Sequence, residues 1–194
     1  MNPEVKDRAY QRLFWGTLFL MFLEPAWRQD LPGLPGIIGL CICSSGAGML
    51  ARETGFGSFR AAHRWCRIGI AAWVLQWPAA LLFPYNTFPW EWRFAAYFIG
   101  AAAVIGLYSN LLLGTRAFVG GRQSLRMGGG SRLFSAVYMM SVLTRMANEW
   151  LGSYYVPAWG YISQAMLVLQ VLLMIWMMNR LSMARGSGTV TKMS

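Results

Sequence analysis

The sequence predicts an all-α fold, a polytopic membrane helix bundle of six transmembrane helices with the N and C termini cytoplasmic. Three observations lead there. Hydrophobic residues make up 56% of the 194 residues, charged residues only 12%, and mean hydropathy is +0.40, whereas a soluble domain carries charge on about 25% of its residues. The chain also divides into apolar runs close to the roughly 20 residues that a spanning helix needs, leaving no stretch for a soluble domain beside them. Finally, with the N-terminus inside, the inner segments hold Lys6, Arg8, Arg12, Arg52, Arg60, Arg64, Arg67, Arg116, Arg122, Arg126, Arg132, Arg180, Arg185 and Lys192, which is fourteen of the 17 basic residues. The outer loops hold only Arg28 and Arg93, and Arg145 lies within a span, as the cytoplasmic bias of Lys and Arg requires.

The polar opening M-N-P-E-V-K-D-R-A-Y-Q-R leads into a first span over residues 13–27. A cleaved signal peptide is the competing reading, but Glu24 and Pro25 interrupt the apolar run where a small-x-small cleavage site would stand. From Arg12 to Trp27 a helix rises only about 24 Å, short for a core of about 30 Å, so this span needs local thinning or help from its neighbours. In the second span, 34–51, Gly39, Cys43, Ala47 and Ala51 form one stripe on which another helix can pack closely. The third, 68–83, holds Gln76, Trp77 and Pro78, and the interior proline predicts a kink. The fourth, 94–113, carries a second close-packing stripe in Ala102, Gly106, Asn110 and Gly114, and the fifth and sixth cover 133–155 and 158–178. Between spans two and three the sequence predicts a polar connector, 52–67. Between spans four and five it predicts a basic, Gly-rich cytoplasmic loop, 115–132, and residues 182–194 read as a flexible tail. Trp27, Trp90, Trp92, Trp150 and Trp159 form an outer belt at headgroup depth.

Two full charges stand within the fifth apolar run. Arg145 and Glu149 are four apart and share a helix face, with Asn148 beside them to take up remaining hydrogen bonds. Burying Arg at a helix centre costs about 2.5–3.5 kcal/mol even on mild insertion scales, so such a residue pairs, snorkels or works. Gln76, Asn110 and Gln164 are the further polar side chains that can line a site with this pair. Arg116, Arg122, Arg126 and Arg132 suit anionic lipid headgroups or a docked cytoplasmic subunit. Their loop lacks the G-x-x-x-x-G-K-[ST] order of a phosphate-binding loop.

Absences trim the enzyme classes. Cys41 and Cys43 point to nearly opposite sides of a helix, and with Cys66 the count is odd, so neither a disulfide framework nor a redox C-x-x-C is expected. One histidine cannot supply bis-histidine haem ligation, and no H-E-x-x-H occurs, so no cofactor and no metal is expected. His63 and Cys66, three apart, would share a helix face, the arrangement of a membrane cysteine peptidase. The net charge of +10 is spread in small clusters rather than gathered in one patch with stacking aromatics, which argues against nucleic acid.

The run R-L-F-W-G-T-L-F-L-M-F, followed by D-L-P-G-L-P-G-I-I-G and A-R-E-T-G-F-G-S-F-R, resembles the start of uncharacterised multi-span membrane proteins of Gram-positive bacteria. These open with a W-G-x-L-F run followed by an aspartate, a proline and an I-G pair. The resemblance covers the first quarter of the chain, implies a multi-pass protein of a bacterial cytoplasmic membrane, and brings no activity with it. Two functions are expected ahead of the peptidase: a solute-binding or permease-like transport component with a small polar solute at the helix-five site, and a non-catalytic accessory or assembly subunit docked on a membrane partner.

Overall fold

The computed structural model describes residues 2–20, 34–82, 90–117, 122–151 and 157–186. Within these helices the side chains of 76–82, 90–94, 96–97, 122–128, 145–146, 148–151, 157–160, 163 and 184–186 lie outside the description. The described residues form six helices: α1 (Pro3–Leu18), α2 (Leu34–Thr54), α3 (Gly57–Leu82), α4 (Trp90–Arg116), α5 (Arg122–Leu151) and α6 (Pro157–Gly186). The fold is all-α, and three stretches are long and apolar enough to cross a membrane: Leu34–Thr54 in α2, Phe98–Arg116 in α4 and Gln164–Met183 in α6. These correspond to the second, fourth and sixth expected spans. The expected tryptophan belt and residues 187–194 of the expected tail fall outside the described side chains and residues.

Helix α1 starts because Asn2 caps it. Its side chain accepts a 3.0 Å hydrogen bond from the Glu4 amide, Pro3 needs no donor there, and Glu4 complements the positive helix end. Exposed Glu4 then pairs with Arg8 one turn on at 3.3 Å, worth about 0.5 kcal/mol at most.

The connection between α2 and α3 is far tighter than the polar stretch 52–67 suggests. Gly55 adopts φ 69°, a left-handed conformation that ends α2, and its amide bonds the Ala51 carbonyl at 3.0 Å. Arg60 of α3 donates back to the Gly55 carbonyl at 3.1 Å. Residues from Gly57 onward are therefore helical, with Arg60, Arg64 and Arg67 on the exposed side. The basic loop shortens in the same way: α5 begins at Arg122, so 122–132 is helix and not loop, and α6 continues to Gly186 across the start of the expected tail. Hydropathy marks only the part of each helix that suits lipid; backbone hydrogen bonding carries the helix on into the polar flank.

Consecutive helices pack as neighbours, and α6 closes the ring against α1. Small residues set the close approaches. A Cβ at Gly16 would lie 2.5 Å from Cys43 Sγ and 2.7 Å from the Gly39 carbonyl, so α1 and α2 touch backbone to backbone. Trp65 of α3 fills the space over Gly106 of α4, and Trp176 of α6 that over Gly130 of α5. The core of Tyr10, Leu13, Leu40, Cys43, Cys66, Leu107, Tyr108 and Leu111 lies between α1, α2, α3 and α4. Helix α6 is more peripheral: 22% of its membrane-length window is buried, against 50% for α2 and for α4.

Candidate functional site

Four hydroxyl side chains of α5 are turned into the bundle. Ser131, Ser141 and Thr144 are buried and Ser135 is half-buried, and at 3.6 residues per turn they wind around about half of the helix circumference. A hydroxyl facing lipid costs free energy, and Ser135, Ser141 and Thr144 each have a hydrogen-bond partner. Ser135 donates to the Ser131 carbonyl at 2.9 Å and its hydroxyl lies 2.9 Å from that of Ser109 on α4. Ser141 donates to Gln170 Oε1 of α6 at 2.7 Å, and Thr144 donates to the Ser141 carbonyl at 3.0 Å. This stripe of hydroxyls thus winds along α5, from the α4 side at Ser135 to the α6 side at Ser141. Phe134 and Tyr138 interleave with it, Phe134 meeting Tyr108 edge-on with centroids 5.5 Å apart.

The backbone of α5 carries Arg145 directly after Thr144, and Asn148 and Glu149 in the next turn. The side chains of Arg145, Asn148, Glu149, Gln76, Arg122 and Arg126 lie outside the described set. Of the other expected lining residues, half-buried Asn110 donates to the Gly106 carbonyl of its own helix at 2.7 Å, one turn away on the face that meets Trp65. Gln164 is exposed on α6. Gln170 is the α6 amide that meets the α5 stripe; Ser109, Ser131, Ser135, Ser141 and Thr144 were not among the residues singled out from the sequence. The sequence carried no periodic signal for them, since Ser131, Ser135, Ser141 and Thr144 do not keep a helical repeat and small hydroxyl residues are ordinary helix-packing groups.

A second polar group lies between α2 and α3. His63 Nδ1 is 3.0 Å from both the hydroxyl and the carbonyl oxygen of Ser44. Cys66 is fully buried, and among the described residues no hydrogen bond joins it to His63. Arg12 of α1 donates to Ser45 beside this group.

The basic residues collect at one end of the ring. Tyr10 meets Thr115, Gly114 meets Phe59, and Trp176 meets Gly130, and these registers bring exposed Arg116 and Arg132 to the end of the bundle that holds the α2–α3 turn. Arg180 sits there with its guanidinium 5.5 Å from the Trp176 ring centre. Lys6 is buried at the same end, and loss of water around it lowers its pKa from the ordinary lysine value. Among the described residues no cluster of three or more His, Cys, Asp or Glu could hold a metal ion.

No protein family, curated protein or solved structure matches this chain. Its chemistry has to be read from its own residues.

Proposed function

We propose that this is a six-span protein of a bacterial cytoplasmic membrane, with both termini cytoplasmic, and that it is a solute-binding or permease-like transport component. The single observation that carries this reading is the α5 stripe. A helix whose hydroxyls Ser131, Ser135, Ser141 and Thr144 wind from Ser109 of α4 round to Gln170 of α6, and which then continues into Arg145, concentrates hydrogen-bonding capacity where lipid would penalise it. Neutral hydroxyl and amide groups leading to one cation suit a small polar solute that carries acceptor oxygens. The basic end of the ring supports the orientation, since that end belongs in the cytoplasm. Anionic lipid headgroups are the partners proposed for Arg116, Arg122, Arg126 and Arg132.

The test is native mass spectrometry of protein extracted gently from its own membrane. A co-purifying small molecule that is lost in Arg145→Leu and kept in Arg122→Leu supports the reading. Equal, negligible effects of the two substitutions would remove Arg145 from its central place.

The peripheral position of α6 favours a second reading, a non-catalytic accessory or assembly subunit. Exposed Tyr161, Val168, Leu172 and Ile175 line that helix, and another membrane helix could cover them. A stoichiometric second protein without a small ligand in the same experiment would select it.

A further inference from the structure

The outer wall formed by α1, α2 and α3 carries cations beside the middle of an apolar span. Gly46 of α2 faces the Ala9 carbonyl and Leu13 of α1, Gly48 faces His63 of α3, and Gly69 of α3 meets Leu40. Those registers set Arg12 of α1 and Arg67 of α3 on either side of α2, level with Cys43 and Ser44, at the middle of the Leu34–Thr54 window. Thr54, which ends α2, lies about 15 Å further along the axis. Arg12, Arg64 and Arg67 are all exposed. Arg12 donates to half-buried Ser45 of α2, a neutral group that leaves most of the guanidinium donors unused. Arg64 and Arg67 make no hydrogen bond or ion pair with any described residue. No Asp or Glu stands at this height, in 9–16, 41–47 or 61–71.

Unpaired guanidinium groups in hydrocarbon are costly, so polar headgroups have to reach them. The flanking apolar runs agree. Residues 13–27 and 68–83 begin directly after Arg12 and Arg67 and each rise only about 23–24 Å, against about 31 Å for the α2 window. Trp15, one turn beyond Arg12, is 48% exposed, and an indole ring prefers headgroup depth. We propose that this wall is a docking surface for anionic phospholipids, whose phosphates sit on Arg12 beside Ser45 and on Arg64 and Arg67, drawing the headgroup layer of that leaflet towards the middle of α2. A guanidinium fork matches phosphate oxygens, and the Ser45 hydroxyl holds Arg12 at this height. Three cations spread over two helices suit several headgroups better than the single carboxylate that a docked acidic helix would offer. The surface is separate from Arg116, Arg122, Arg126 and Arg132. It rests on α2 crossing a membrane, and on neither the solute site nor the side on which the termini lie.

The test reconstitutes the full chain in vesicles of equal parts phosphatidylglycerol and phosphatidylcholine, extracts it gently and counts the bound lipids by native mass spectrometry. Arg116→Gln, Arg122→Gln, Arg126→Gln and Arg132→Gln form the background, so the other basic surface does not contribute. Bound phosphatidylglycerol is expected to exceed bound phosphatidylcholine. Arg12→Gln and Arg67→Gln are each expected to cut that excess about fivefold, the factor by which one arginine near a membrane surface favours anionic lipid. Arg180→Gln, on α6 where the guanidinium lies over Trp176, should leave it unchanged. Arg12→Lys with Arg67→Lys keeps the charge and has to keep most of the preference, which separates a lost headgroup from a lost fold. No excess of phosphatidylglycerol, an unchanged excess in Arg12→Gln with Arg67→Gln, an equal loss in Arg180→Gln, or no rescue by lysine would overturn the proposal. So would a second protein that binds in place of lipid in material from the native membrane and is lost in Arg12→Gln.

Discussion

Tyr108 donates its hydroxyl to Thr17 Oγ1 at 2.9 Å, and Thr17 passes its own proton to the Leu13 carbonyl at 2.7 Å, so a polar chain links α4 to the backbone of α1 inside an apolar core. Both side chains are fully buried, and removing one leaves the other short of a partner without water to replace it. Thr17→Val is expected to cost about 1–3 kcal/mol in detergent unfolding, and so is Tyr108→Phe. The double variant should cost clearly less than the sum. Strict additivity would mean that the pair is not coupled.

Two glycines in helices should respond with opposite signs. A Cβ at Gly16 would meet the Gly39 carbonyl at 2.7 Å and the Cys43 amide nitrogen at 2.8 Å, backbone groups that cannot swing away. Gly16→Ala should therefore lower the unfolding temperature, by an amount equivalent to about 1–3 kcal/mol. At Gly129 nothing lies within 4 Å of the added carbon, so Gly129→Ala should stabilise by up to about 1 kcal/mol through helix propensity alone. Parallel thermal melts of the two variants check this, and a stabilising Gly16→Ala would disprove the close α1–α2 approach.

Ser141 supplies a hydroxyl donor to Gln170 across the α5–α6 contact. Ser141→Ala is expected to lose about 1 kcal/mol, and Ser141→Ala with Gln170→Leu to recover part of it, because the second change removes the half-buried acceptor as well. Chemical denaturation of the three variants separates this from loss of packing. If Gln170→Leu worsened Ser141→Ala by its full individual effect, the hydrogen bond would carry no weight.

The proposed orientation is open to direct test. A reporter enzyme active only outside the cytoplasm, fused within 117–121, should be inactive, and the same reporter fused within 152–156 should be active. Activity at both places, or the reverse order, would end the six-span arrangement with cytoplasmic termini.

Much of the architecture was legible in the chain. The apolar windows of α2, α4 and α6 coincide with the second, fourth and sixth expected spans, because a membrane-length apolar run leaves little choice but helix. The small-residue stripes were legible too: Gly39 and Cys43 do receive α1, and Gly106 and Gly114 do receive α3. Element limits were less legible. Arg60, Arg64 and Arg67 read as a connector yet continue α3, because hydropathy reports the solvent of a side chain and says nothing about whether its backbone is helical.

The sequence by itself determined the helical class and the three membrane-length segments of α2, α4 and α6, since both follow from local composition. It held the pattern Y-x-x-L-x-x-G-T twice, at residues 10–17 and 108–115, without declaring that the copies meet. Only the tertiary structure decided that Tyr10 faces Thr115, that Ser109 faces Ser135, and that Gln170 rather than Gln164 reaches the α5 stripe. The physical reason is rotational: every polar residue on an apolar helix carries the same local signal, and the packing of neighbouring helices alone selects which side turns inward.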